Sequence, residues 1–424
     1  MSFPLYTAFY STALLATAPV HLARGLKSGK YFWSLKARLG LDPGPVPAKK
    51  TRRAWVHALS LGEVLAAVPL VESLEREGWE VLFSTTTKSG HEIAASRLGR
   101  LFRLCYPFDF PSSVSRLLDR ADPDLFVLME TDIWPNFLAE AGKRNIPAVL
   151  AGARVSPRSL SGYRLARGFW GRVLRLFHFI GCQSELDRTR MLALGADPAR
   201  TVVTGNLKFD RPAPPVDPEA RAAFAAETGL PDGPWLVGGS THPGEEDALL
   251  DAYLGLLPEF PDLKLLLAPR NRPRFEEVWE LIGRRGLVRA RRTDGRPPAG
   301  VQVFLLDTLG ELDRFYEPAD LVFMGKSLPG ADEGGGHNLI EPAARGKPLV
   351  FGPRMQNFVP LATMMLDAGA GRQVADRFEL ARAIGEILAS PGRRAAMGEA
   401  ARAATASHRG AVERTMALIR EARP

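Results

Sequence analysis

The sequence predicts an α/β protein made of two doubly wound halves, each a parallel sheet with helices on both faces. Two observations carry that prediction. Short apolar runs alternate with helical patterns along nearly the whole chain, as strands joined by crossover helices do. The alternation stops once, at DRPAPPVDPEA (210–220), where four prolines fall within eleven residues, and then restarts. At 424 residues the chain also exceeds what one core usually organises. The expected division is an N-terminal anchor segment over 1–40, a first domain over 50–209, a linker over 210–220 and a second domain over 221–424.

In the first half, strands are expected at AWVHALS (54–60), WEVLFSTTT (79–87), LFRLCYPF, DLFVLME, IPAVLAGA (146–153) and FHFIGCQS (177–184). A helix is expected over 63–77, with Val64, Leu65, Val68, Val71 and Leu74 as its apolar stripe and Gly78 at its end. SGHEIAASRLG and residues near 112–120 should supply two more. In the second half, WLVGGS (235–240), LKLLLAPR (263–270), VQVFLLDT (301–308), DLVFMGKS (320–327) and PLVFGP (348–353) read as strands. Ligands of such sheets sit beyond the carboxyl ends of the strands. Two halves facing one another would place the site in the cleft between them.

Residues 3–23 contain no Asp, Glu, Lys or Arg, over about the length that crosses a bilayer core. Thr7, Ser11, Thr12, Thr17 and two prolines interrupt the run. Arg24, Lys27, Lys30, Lys36 and Arg38 follow, interleaved with Tyr31, Phe32 and Trp33. Basic and aromatic residues on that side predict a membrane anchor, spanning or interfacial, with the body in the cytoplasm. A buried N-terminal helix would look much the same.

The formal net charge of +8 favours acidic partners: nucleic acid, anionic lipid or phosphorylated substrates. The basic residues are spread through the chain and no nucleic-acid motif is present, which argues against the first. Cys105 and Cys182 have no metal-ligand spacing and suit a reducing compartment.

The chemistry lies at strand ends. Glu63, in HALSLGEV, stands where the first strand gives way to a helix. The helix N-terminus should keep it ionised, as a base requires. METDIWPN brings Glu130 and Asp132 to the same edge, with Trp134 as a cap. GARVSPRSLSGYR supplies Arg154, Arg158 and Arg164, whose forks match phosphate or carboxylate. Lys208, in GNLKFD, stands close enough to the linker to reach a leaving group; a solvated surface lysine would look the same. In the second half, Pro269-Arg270 end a strand, and Leu309, Gly310 and Glu311 open a helix. GGGHNLIEPAARG (334–346) places three glycines before a helix beginning near Asn338, then Glu341 and Pro342. Glycines let backbone approach a ligand, and helix amides suit an anion. No H-E-x-x-H or cysteine cluster appears, so no metal is expected.

Taken together, HALSLGE, METDIWPN, ARVSPRS, QSELD, GNLKFD, GSTHPGEE, LAPR, DTLGEL, GGGHNLIEPAA and FGPRMQNF occur in an order that resembles the 3-deoxy-D-manno-octulosonic acid (Kdo) transferases of lipopolysaccharide assembly. The resemblance implies a GT-B fold and inverting, metal-free transfer from CMP-Kdo to a lipid A precursor (lipid IVA) at the cytoplasmic face of the inner membrane. It makes Glu63 the proton acceptor. Glu130 and Lys208 would stabilise the transition state. Pro269, Arg270, Leu309, Gly310, Glu311, Asn338, Leu339, Ile340 and Glu341 would hold CMP. Arg154 and Arg158 become candidates for acceptor phosphates. This chain departs from the commoner pattern at HNLIEP (for HNPLEP), at MGKS (for a Gly-Gly-Ser turn) and at Arg354, where His is frequent. Competing classes are a GT-B sugar-nucleotide epimerase, which needs no lipid acceptor, and a membrane-bound binding protein, which needs no ordered acids at strand ends.

Overall fold

A computed structural model describes residues 2–28, 35–42, 44, 46–130, 132–211, 218–330 and 334–422, with backbone alone at 20–28, 88, 89 and 158. The proline-rich stretch expected as a linker and the basic-aromatic run through Trp33 fall largely outside them. The chain forms two compact units. One comprises Met1–Arg211 with His408–Pro424, the other Pro212–Ser407. The second unit therefore stops short of the C-terminus, contrary to the expected 221–424.

The first unit holds a seven-stranded parallel sheet: β1 (Arg53–His57), β2 (Glu80–Thr85), β3 (Phe102–Cys105), β4 (Leu125–Met129), β5 (Ala148–Ala153), β6 (Phe179–Cys182) and β7 (Thr201–Val203), in the order β3-β2-β1-β4-β5-β6-β7. Both faces are covered, so its strands read as continuous apolar runs. Side chains alternate across the sheet. Ala54 and Val56 enter one core with Val64, Leu70 and Leu74 of helix Leu61–Arg76. Trp55 enters the other with Phe126, Phe137 and Phe169. Met416 and Ile419 of the C-terminal helix Ala411–Glu421 complete the first core, which is why the end of the chain belongs to this unit.

Helix Phe3–Ser28 lies on this unit by its first turns. Phe3 and Tyr6 meet the Phe169 ring at 5.7 and 5.5 Å, and Tyr10 meets Phe110 and Trp134 at 5.3 and 5.8 Å. Beneath them Asp109 accepts the backbone N–H of Asn136 and Phe137 at the start of helix Pro135–Lys143. Its burial raises the carboxyl to about 6. Leu5, Phe9 and Leu15, on the outer face, are 57, 67 and 75% exposed. No helix among the described residues is long and apolar enough to cross a membrane. The hydroxyls and prolines that interrupt the apolar run keep its mean hydropathy too low for the spanning form.

The second unit repeats the architecture with β8 (Trp235–Thr241), β9 (Lys264–Pro269), β10 (Arg289–Arg291), β11 (Val303–Leu305), β12 (Ala319–Met324), β13 (Leu349–Phe351) and β14 (Gly371–Gln373), ordered β10-β11-β9-β8-β12-β13-β14, all parallel. Leu236, Leu265, Leu267, Phe323 and Val350 pack with Leu249 and Ile384 from the helices. In each sheet the chain reverses its winding direction at one place, between β1 and β4 and between β8 and β12. There the loops on either side splay apart and leave room for a ligand.

Candidate active site

In the first unit the loops at that reversal carry Glu63 and Glu130. Helix Leu61–Arg76 starts with a variant of the capping box, in which the acid takes the N–H one residue before the cap Ser60. The Ser60 hydroxyl accepts the Glu63 N–H, while the Glu63 carboxylate reaches back to accept the Leu59 N–H (2.8 Å) and the Ser60 hydroxyl (2.8 Å). Glu63 is only 8% exposed. Burial, seconded by the negative charge of Glu130, lifts its carboxyl from 4.5 to about 7; the Leu59 and Ser60 hydrogen bonds and the Lys208 charge oppose the rise. The expectation that the helix start would hold Glu63 firmly ionised is thus corrected. The favourable field of one helix terminus is smaller than the cost of removing a carboxylate from water. Near neutrality such a carboxylate takes up and gives back a proton easily, as suits a general base.

Glu130 follows β4 directly, and its backbone is left-handed at φ +55°. That conformation is costly for a residue with a side chain and is found where surrounding structure enforces it. The Glu130 N–H donates to the Ala151 carbonyl (2.9 Å), and its carboxylate accepts Lys208 Nζ at 2.6 Å. Lys208 rides on a short 3-10 turn, Leu207–Asp210, whose Leu207 and Phe209 are buried. Asp210 accepts the Gly410 and Val412 N–H groups at the start of the C-terminal helix, and Arg414 donates to the Thr204 carbonyl (2.7 Å). The last helix of the chain therefore sets the place of Lys208. Glu63, Glu130 and Lys208 form one electrostatic group.

Asp132 has other work. It accepts the Trp134 indole N–H (2.9 Å) and lies 3.6 Å from Nε2 of the wholly buried His57. Nδ1 of His57 meets the Ser84 hydroxyl at 2.9 Å, and its ring stacks on Tyr106 at 3.7 Å. Burial, the largest effect, lowers the His57 pKa. Arg154 follows β5; the Arg158 side chain lies outside the described residues.

In the second unit the expected nucleotide residues all reach the carboxyl edge. Pro269 ends β9 and is buried; Arg270 is exposed, and its N–H donates to the Thr241 carbonyl (3.1 Å). Leu309 and Gly310 are exposed beyond β11. Glu311 accepts the Thr308 hydroxyl and the Arg292 guanidinium (3.2 Å). Burial alone would raise its carboxyl, but those partners outweigh it and hold it low. The glycine-rich loop needs one correction. Its helix is Ile340–Ala344, one short turn beginning two residues beyond Asn338, and the Asn338 side chain accepts the Ile340 N–H (3.2 Å). The proline at 342 and the glycine at 346 leave no room for a longer helix, so its dipole is small. Leu339 and Ile340, 0 and 3% exposed, point into the core and can offer a ligand only backbone.

Two features escaped the sequence reading. The pattern Ser60-x-x-Glu63 already spells a capping box. Glu245, in GSTHPGEE, reads as an ordinary helix-start acid, yet it is completely buried.

Residues 34–211 match the family model described as 3-deoxy-D-manno-octulosonic-acid transferase (kdotransferase). A 3-deoxy-D-manno-octulosonic acid transferase of Bordetella pertussis is 36% identical, over 97% of this chain and 98% of its own. The chain belongs to the Kdo transferase family. A second Kdo transferase, from Haemophilus influenzae, is 32% identical over 98% of each chain. Among solved structures, UDP-GlcNAc 2-epimerase from Neisseria meningitidis bound to UDP-GlcNAc covers 88% of this chain and 100% of its own, with a TM-score of 0.62 and 12% identity. That likeness shows the GT-B fold alone. The sequence relatives set this chain with the Kdo transferases rather than with the epimerases whose fold it shares.

Proposed function

We propose that this protein transfers Kdo from CMP-Kdo to a lipid A precursor, with inversion at the transferred sugar. Family membership supports Kdo transfer, and the observation that carries the mechanism is the group Glu63, Glu130 and Lys208 in the first unit. The acceptor hydroxyl gives its proton to Glu63, and its oxygen bonds to the anomeric carbon of Kdo as the bond to CMP breaks. Lys208, held by Glu130, stabilises negative charge developing in the transition state. In the second unit Arg270, Leu309 to Glu311 and Asn338 to Glu341 hold CMP; Leu339 and Ile340 serve through backbone. The leaving group carries a single phosphate, a charge that side chains and backbone amides can meet, so no step is routed through a metal.

The exposed apolar side chains Leu5, Phe9 and Leu15 on the uncharged first part of helix Phe3–Ser28 support an interfacial anchor at the cytoplasmic side of the inner membrane. Flotation of the full chain with anionic vesicles tests this; a chain that stays at the bottom of the gradient with and without them speaks against it. For the reaction, the full chain is incubated with CMP-Kdo and lipid IVA and the lipid product is weighed by mass spectrometry. Glu63→Gln should lose about 10²–10⁴ in rate while CMP binds as tightly as before. Free Kdo without glycosylated lipid, or full turnover by the variant, refutes the proposal.

A further inference from the structure

Glu245 is a carboxylate with no exposure, at the first position of helix Glu245–Leu256, following β8. Its two oxygens accept four backbone N–H groups. Oε1 takes those of Ser327 (2.9 Å) and Leu328 (3.1 Å); Oε2 takes those of Lys326 (2.7 Å) and His242 (2.9 Å). One side chain thus ties the loop after β8 to the loop after β12, the two strands between which the second sheet reverses. Burial pushes its carboxyl upward and the four amides pull against that. Four donors aimed at one group make an ionised acceptor the only arrangement that satisfies them all.

Two routes lead from this clamp to the glycine-rich loop. The Lys326 carbonyl accepts the Gly336 N–H (2.8 Å). Lys326 itself is left-handed at φ +59°, a conformation suited to glycine that Glu245 stabilises in a lysine. Along the second route, the His242 ring, whose backbone Glu245 holds, meets the His337 ring Nε2 to Nε2 at 3.1 Å. Both routes end at residues 336 and 337, immediately before Asn338. The packing leaves no slack, since a Cβ added at Gly325 would lie 2.8 Å from Glu245 and 2.3 Å from the Ser240 carbonyl.

We infer that Glu245 is a positioning residue for the donor nucleotide: it touches no ligand but registers residues 336–341 for CMP through the loops after β8 and β12. The inference rests on the assignment of CMP to the second unit. Its physical content is a count of lone pairs. Glutamine at 245 offers two lone pairs instead of four and turns an N–H₂ toward N–H groups, so two of the four amides at 242 and 326–328 lose their acceptor. Aspartate keeps the charge and the lone pairs but stands back by one methylene.

The test uses the full chain, with CMP as probe, in wild type, Glu245→Gln and Glu245→Asp. Binding is measured by calorimetry, amide exchange by mass spectrometry, and KM separately for CMP-Kdo and for the lipid acceptor. Glu245→Gln should stay folded, bind CMP at least tenfold more weakly and exchange faster at 326–328 and 334–337. Its KM for the acceptor should remain within twofold, and Glu245→Asp should recover part of the CMP affinity. A folded Glu245→Gln that binds CMP like wild type overturns the inference alone. So does loss of the folded second unit in both variants, which would make Glu245 a determinant of folding instead. Wild-type protein that binds no CMP overturns the nucleotide assignment and this inference with it.

Discussion

Replacing Glu63 by Gln should make the protein more stable above neutral pH, and by an amount set by its surroundings. The Glu63 carboxyl is raised from 4.5 to about 7, chiefly by burial. A carboxyl raised on folding contributes most where it is protonated in the folded state. That contribution is complete below pH 4.5 and is lost as the pH rises to 7. At about 1.4 kcal/mol per pH unit, ionised Glu63 costs the folded first unit about 3 kcal/mol at pH 8. The hydrogen bonds from Leu59 and Ser60 already oppose the rise and are counted in that cost, which glutamine, like the protonated acid, escapes. The net expectation is a variant more stable than wild type by about 3 kcal/mol at pH 8. The gap should narrow through pH 6 and 5 and close near pH 4. Urea unfolding of both proteins across that range, followed by tryptophan fluorescence, measures it. Asp109, also raised by burial, is present in both and cancels. A difference that does not widen from pH 4 to pH 8 would refute the account of Glu63 as a desolvated carboxylate. A site that gains stability when its base is removed is one where activity and stability compete.

Two further predictions follow from the same structure. The acid limb of the pH–kcat/KM profile should move in opposite directions in Glu130→Gln and Lys208→Met: to lower pH when the like charge is removed, to higher pH when the cation is. Shifts of the same sign would mean that Glu63 is not the titrating base. Gly336→Ala should cost about 2 kcal/mol or more and weaken CMP binding, because position 336 has φ +72° and the new methyl would lie 2.3 Å from Met355 Sδ. Gly255→Ala, in the last turn of helix Glu245–Leu256 with nothing within 4 Å of its Cβ, is the control and should stabilise by up to about 0.5 kcal/mol; equal losses in the two variants would remove the argument from close approach.

The long apolar strands were legible in sequence because a strand buried on both faces has no choice of composition. β7, β10 and β14 were not. Each has three residues, and Arg289–Arg291 and Gly371–Gln373 are polar segments on sheet edges, where pairing with one neighbour suffices. The site divides in the same way. Glu63, Glu130 and the glycine-rich loop announce themselves by standing where strands end. Lys208 had no such mark. Its place depends on Asp210 and Arg414, residues some two hundred positions apart, meeting at the last helix.

The order of apolar runs, the acids at strand ends and the glycines at 334–336 were determined locally, by the period of the backbone and by which residues can make a turn. Tertiary structure decided what no local pattern encodes: the protonation of Glu63, the clamp made by Glu245 and the return of the C-terminal helix to the first unit. Each of these depends on burial and on partners distant in the chain. Solvation and hydrogen bonding respond to whatever lies within a few ångströms, and only the folded chain brings those atoms together.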